Sequence, residues 1–157
     1  MLIFPKMRKE DDFGAGHFGA SRGARKHNGI DLAVEAGALC FNLIEGEVTK
    51  FGYAYADDLS YRYVQVTDYF GARFRYFYVD PNPDLNIGAK ICEGYLLGTA
   101  QDISSRYQTA DRKMNNHIHL EVIDSDGNFE NPADAVYLQS GINLVAKGVV
   151  DEPEETE

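Results

Sequence analysis

Residues 61 to 79 read YRYVQVTDYFGARFRYFYV and leave little choice of fold. Val64 and Val66 alternate with Tyr63, Gln65 and Thr67, the period of two that sends successive side chains to opposite faces of a strand. Phe70-Gly71 breaks the run with turn chemistry, and ARFRYFYV returns. The segment predicts an antiparallel hairpin. Short runs of the same kind follow one another from residue 29 onward. CFNLIEGEVTKFGYAYA carries two, joined at Glu45-Gly46, and GYLLGTAQ and HIHLEVID add two more. One segment reads as a helix. In NPADAVYLQS, Asn131 is a good N-cap, Pro132 suits the first helical position and Asp134 lies in the first turn. Residues 1 to 26, with DFGAGHFGASRGARK at their centre, read as an irregular loop along the surface. The expected class is all-β, mostly antiparallel, with one short C-terminal helix. Residues 1–140 would form a single domain, and 141–157 an extension.

Charge narrows the function classes. The chain carries a net charge of −10, which argues against general nucleic-acid binding. Asp151, Glu152, Glu154, Glu155 and Glu157 crowd the last seven residues and predict a solvated, disordered acidic tail. No apolar run is long enough to cross a membrane. MLIFPKMRKEDD is too short in apolar residues to serve as a signal peptide, so synthesis in a cytoplasm is expected. Cys40 and Cys92 fall in no metal-like pair and read as small buried residues.

The histidines carry the chemistry. Of four, three sit in RKHNGIDLAV and NNHIHLEVID. If HIHLEVI is a strand, His117, His119 and Glu121 share one face while Ile118, Leu120 and Val122 fill the other. The two imidazoles then stand roughly 6.5 Å apart along the strand. A straight strand would hold His27 and Asp31 roughly 13 Å apart. A bend at Asn28-Gly29, a strong turn pair, would bring them together. His27, Asp31 and one histidine of the late pair would then offer two imidazoles and a carboxylate. That set suits zinc with a fourth position open to water, and the remaining histidine would be free for acid–base work. The polar segment 107–116 runs into this pair and could deliver side chains to it. Arg22, Arg25 and Lys26 precede the first motif, and Arg22 and Arg25 could hold a carboxylate of a substrate peptide. His17, in the same loop, is expected to stay outside the site.

At this point a resemblance is visible. HNGIDLAVEAGALCFNLIEGEV resembles the signature His-x-Gly-x-Asp, Ala-Gly, apolar run, Gly-x-Val of the LytM/lysostaphin-type zinc endopeptidases, which cut peptidoglycan cross-bridges. HIHLEV resembles their His-x-His-x-Glu strand, and ENPADAVYL is similar to their closing helix. The likeness covers about residues 13 to 139. It implies a small antiparallel β-sandwich with a groove over a sheet and one Zn2+ ion. It also implies His27, Asp31 and His119 as metal ligands and His117 as the catalytic base. The partner would be a peptidoglycan peptide or cross-bridge.

The chain departs from that pattern in two places. Active members of the family normally carry a further histidine in a Tyr-x-His segment; here RYFYVDP has Tyr76 at the tyrosine and Tyr78 at the histidine. The glycine-rich turn before His-x-His is replaced by the longer DRKMNN. Both departures are similar to the leukocyte cell-derived chemotaxin branch, which keeps the three metal ligands and is regarded as lacking peptidase activity. GAGHFGASRGARKHNGID resembles that branch without gaps, although its cysteines are not matched. The composition is more like that of a phage or bacterial protein. Delivery to the wall by lysis, or as a virion component beside phage structural proteins, is then expected. Two functions fit: a peptidoglycan endopeptidase in which the Tyr78 hydroxyl replaces the missing donor, or a zinc-holding structural or recognition module on the same fold.

Overall fold

The computed structural model describes residues 6–133 and the backbones of 2–3 and 145–146. The strands in the first half are β1 (Leu2–Ile3), β2 (Lys6–Met7), β3 (Ser21–Arg22), β4 (Arg25–Lys26), β5 (Ile30–Ala33), β6 (Leu39–Phe41) and β7 (Gly46–Tyr55). Next come β8 (Asp58–Thr67), β9 (Arg73–Phe77), β10 (Val79–Pro81), β11 (Lys90–Ile91) and β12 (Leu96–Ala100). A four-residue helix, α1 (Ser104–Tyr107), precedes β13 (His117–Ile123), β14 (Phe129–Glu130) and β15 (Val145–Ala146). The pairings are antiparallel throughout the described residues. One sheet runs β11-β7-β8-β9-β13-β5-β2, with β14 added to β13. The other runs β1-β15-β6-β12-β10, and β3 and β4 form a separate hairpin. The all-β antiparallel expectation holds.

The hairpin read from residues 61 to 79 forms as β8 and β9, in register from Tyr63 opposite Phe77 to Thr67 opposite Arg73. Its turn is organised by Asp68, whose Oδ1 accepts the Phe70 and Ala72 N–H groups at 2.9 Å. Gly71 takes φ +89°, a conformation an L side chain resists.

Alternation gives the large sheet two unlike faces. Ile30, Leu32, Val48, Val64, Val66, Phe74, Tyr76, Ile118 and Leu120 point into the core. They meet Cys40, Val79, Leu97 and Ala100 from the second sheet. Each such large apolar side chain contributes about 1.5–3 kcal/mol when fully buried. Tyr76 is completely buried, so its hydroxyl must be satisfied. It donates to Asn42 Oδ1 at 3.1 Å and accepts from the Leu43 N–H at 3.0 Å. The opposite face carries Tyr63, Gln65, Arg75, Phe77, His117, His119 and Glu121, and it floors the groove.

Three expectations need comment. Cys40 is buried, and burial pushes its thiol up to about 12. Cys92, however, is exposed. It follows the buried Ile91 into a turn, where its carbonyl, not its thiol, packs inward to accept from Asn42. Helix α1 was not anticipated, since four residues are too few to show a helical period. Beyond Ala133, whose N–H donates to Asn131 Oδ1 at 3.0 Å as an N-cap requires, the expected C-terminal helix lies outside the described residues. So do the boundary at residue 140 and the acidic tail.

Candidate metal centre

Register builds the site. On β13 and β5, Asp31 lies opposite His119 and Ala33 opposite His117. Asp31, His117, His119 and Glu121 therefore share the groove face. His27 is returned to them by a bend at Asn28-Gly29. The reason for glycine differs from the one the turn signal suggested. Gly29 is not among the glycines with positive φ. Instead a Cβ there would lie 2.2 Å from the Leu120 carbonyl oxygen, so the bend demands close contact with β13.

The result is a tight triangle. His27 Nε2 lies 3.0 Å from His119 Nδ1 and 3.1 Å from Asp31 Oδ1, and His119 Nδ1 lies 2.9 Å from Asp31 Oδ1. These separations are close to the edge, about 3.3 Å, of a tetrahedron of donors with bonds near 2.0 Å. The outer nitrogens fix what faces inward. His27 Nδ1 is 3.0 Å from the His17 carbonyl, and His119 Nε2 is 3.0 Å from Glu121 Oε2. Each outer N–H donates outward, so two imidazole lone pairs and a carboxylate oxygen converge on one point. Three acceptors there need a shared proton or a cation. Burial alone would lower the His119 pKa, but its bonds to Asp31 and Glu121 lift it to about 9. Burial likewise works against the charge on Asp31, yet the bonds from His119 and His27 hold its carboxyl well below the usual range. Among the described residues this is the one group of three or more such side chains placed to hold a metal ion. His17 contributes its carbonyl, while its exposed side chain stays outside the cleft.

Asp31 is held from behind as well. Arg8 Nε and Nη2 both lie 3.1 Å from Asp31 Oδ2, and Arg22 Nη2 lies 3.3 Å from it. Arg22 also donates to the Ala15 and Ser21 carbonyls at 2.7 and 3.0 Å. Its guanidinium is thus directed at Asp31 and its own loop, and Arg22 lines the cleft together with the exposed Arg25. Arg8, only 3 % exposed, escaped the sequence reading; nothing local separates it from Lys6 or Lys9.

His117 stands beside the triangle. Its Nδ1–H donates to the Asn115 carbonyl at 2.8 Å, leaving Nε2 with a lone pair 3.7 Å from Asp31 Oδ2. Burial lowers its pKa, so the neutral imidazole is favoured. Opposite it lies Tyr78, ring to ring at 5.7 Å.

Tyr78 takes φ +67°, the single non-glycine positive φ among the described residues. A bulky residue pays about 1–3 kcal/mol for such a conformation. The strain falls where the chain leaves β9 in one sheet and enters β10 in the other. It is over-determined by the Tyr78 N–H on the Arg62 carbonyl at 2.7 Å and the Gln101 N–H on the Tyr78 carbonyl at 2.8 Å. Tyr107 donates to the Tyr55 hydroxyl at 2.5 Å, and the Tyr55 and Tyr78 hydroxyls are 3.3 Å apart. Arg106 stacks on Tyr55 at 3.8 Å. Burial pushes the Tyr78 hydroxyl up to about 12, so it keeps its proton. Tyr55 and Tyr107, also unforeseen, complete this wall of a cleft of about 360 Å³ that His27, Asp31, His117, His119 and Tyr78 also line. The polar segment after α1 supplies Met114 to the same cleft.

No protein-family model matches the chain, and no curated protein matches its sequence. Solved structures do. The catalytic domain of the antimicrobial peptidase lysostaphin from Staphylococcus simulans is similar at 14 % identity and a TM-score of 0.60, over 79 % of this chain and 90 % of that one. LytU is similar at 20 % identity and 0.59, over 83 % and 84 %. A mutant catalytic domain of the prophage-encoded M23 protein EnpA from Enterococcus faecalis gives 17 % and 0.58, over 83 % and 95 %. The chain has the fold of the LytM/lysostaphin-type peptidase domains.

Proposed function

We propose that this chain is a zinc-dependent endopeptidase that hydrolyses peptide bonds in peptidoglycan. The observation that carries the reading is the convergence of the His27 Nε2, Asp31 Oδ1 and His119 Nδ1 lone pairs beside the free Nε2 of His117. The antimicrobial peptidase among its structural neighbours supports peptide-bond hydrolysis. His27, Asp31 and His119 would hold the ion, which supplies Lewis acidity to the scissile carbonyl and the attacking water. His117 takes the water's proton on Nε2, with its ring fixed by the Nδ1–H bond to Asn115. Tyr78, its proton retained, donates to the oxygen that becomes anionic as the carbonyl is attacked. Arg25 at the cleft mouth pairs with a carboxylate of the peptide. Lysis or carriage in a virion, in contact with phage structural proteins, would bring the protein to the wall.

The test is mass spectrometry of peptidoglycan and of a glycyl cross-bridge peptide after incubation with zinc-loaded protein. New peptide ends are expected, lost with chelator and lost in His117→Ala while zinc stays bound. Cleavage that survives His117→Ala removes that residue as the base. One observation favours a second reading, a zinc-holding recognition module: Tyr78 stands where the family signature has histidine. Turnover that appears only in Tyr78→His would decide for it.

A further inference from the structure

Residues 8 to 14 are tied both to Asp31 and to the segment 112–115. Arg8, which grips Asp31 Oδ2, also pairs through Nη1 with Asp11 Oδ2 at 2.7 Å and donates to the Gly14 carbonyl at 3.0 Å. The same Asp11 Oδ2 accepts the Asn115 N–H at 2.8 Å, while its Oδ1 accepts the Phe13 N–H at 2.8 Å. The carbonyl of Asn115 is the acceptor for His117 Nδ1. Alongside, the Lys113 N–H donates to Asp12 Oδ2 at 2.7 Å, and Arg112 donates to the Asp12 carbonyl at 2.7 Å. A continuous path therefore runs from the ligand Asp31 through Arg8, Asp11 and Asn115 to His117. The Arg8 and Asp11 side chains are 2 % and 8 % exposed, so solvent does little to screen the pair.

We propose that Asp11 is a positioning residue. Paired with Arg8, it fixes the carboxylate of Asp31 and the residue that aims His117 in one frame, so that metal grip and base orientation are set together. This rests on the roles given above to Asp31 and His117. Asp11 makes no hydrogen bond or ion pair with His27, Asp31, His119 or His117, and its bonded links to them run through Arg8 and Asn115. A group one step behind a metal ligand, as Arg8 would be, typically changes metal affinity roughly 10- to 100-fold when altered. Asp11 stands one step further back, so its effect is set at or below the lower end of that range.

The test compares the full-length chain with Asp11→Asn and Asp11→Glu. Two signals are read: Co2+ affinity with its visible spectrum, and the 15N shifts of the His117 ring in metal-free protein. Asp11→Asn is expected to weaken Co2+ binding by up to roughly 10-fold, to alter the spectrum, and to change the Nδ1 shift of His117. Asp11→Glu, which keeps the charge, is expected to recover both signals in part. A variant that is merely less heat-stable, with spectrum and ring shifts unchanged, overturns the proposal. If Asp11→Asn does not fold, the wild-type chain still decides. Metal binding must move the Asn115 amide resonance, and an unmoved amide beside shifted ligand resonances overturns the coupling. A wild-type chain that takes up no Co2+ defeats the metal reading on its own, and the ring shifts, which need no metal, then judge Asp11.

Discussion

On the wall built by β5 and β13, each imidazole nitrogen that faces away from the cleft is tied to a carbonyl or a carboxylate, and the back of Asp31 is tied to two arginines. On the facing wall, the hydroxyls of Tyr78 and Tyr55 meet one another, with Tyr107 behind. The first wall derives its geometry from strand register and buried charge, which resist displacement. The second derives it from neutral hydroxyl contacts and one strained backbone residue, a cheaper arrangement to alter. On the proposed function, the first would therefore govern metal content, and the second only the rate of hydrolysis.

Asp31→Ala attacks that division where the effect is largest. It removes a proposed ligand and strips the buried Arg8 of one of its two carboxylate partners, leaving it Asp11 alone. The cost is therefore expected to stay below that of a buried charge with no partner, about 3–5 kcal/mol. Zinc content measured by mass spectrometry is expected to fall to background, and thermal unfolding to shift down by several degrees. Tyr78→Phe takes the opposite wall. It keeps the ring and deletes the donor, so cleavage is expected to slow by about 100-fold or more with zinc stoichiometry unchanged. A loss of zinc in Tyr78→Phe would erase the contrast between the walls. Glu121→Gln returns to the first wall. It weakens the acceptor behind His119, and competition with a chromogenic chelator should show zinc bound roughly 10-fold less tightly. Tyr107→Phe is the mildest, since it removes only the outermost hydroxyl. Turnover is expected to fall a few-fold, consistent with one neutral hydrogen bond of about 1 kcal/mol, and metal affinity to stay put.

The same division explains what could be read from the sequence. The alternation in HIHLEVI and the β8–β9 hairpin are local patterns of period two, and both form as written. Asn28-Gly29 announced the bend, although the physical demand on Gly29 is the nearby Leu120 carbonyl and not a left-handed backbone. The resemblance placed Tyr78 at the site, and the structure seats it against His117. Its φ of +67° was invisible, because it arises from a chain passing between two sheets. Arg8 and Asp11 were invisible for a related reason. They are three residues apart and pair with each other, but the partners that tie them to the site lie 23 and 104 residues away. Cys92 was misjudged because composition says that cysteines are usually inside, and only the turn after Ile91 turns this one out.

The conformation of Tyr78 has a consequence for how this protein would drift under selection. Glycine or asparagine would occupy that backbone with less strain, so a screen rewarding stability alone should pull position 78 away from tyrosine. A screen rewarding turnover should hold it. If libraries at this codon diverge under the two regimes, the hydroxyl is under functional constraint. If both settle on glycine, the ring has no part in the chemistry, and the strain is a relic that the fold tolerates.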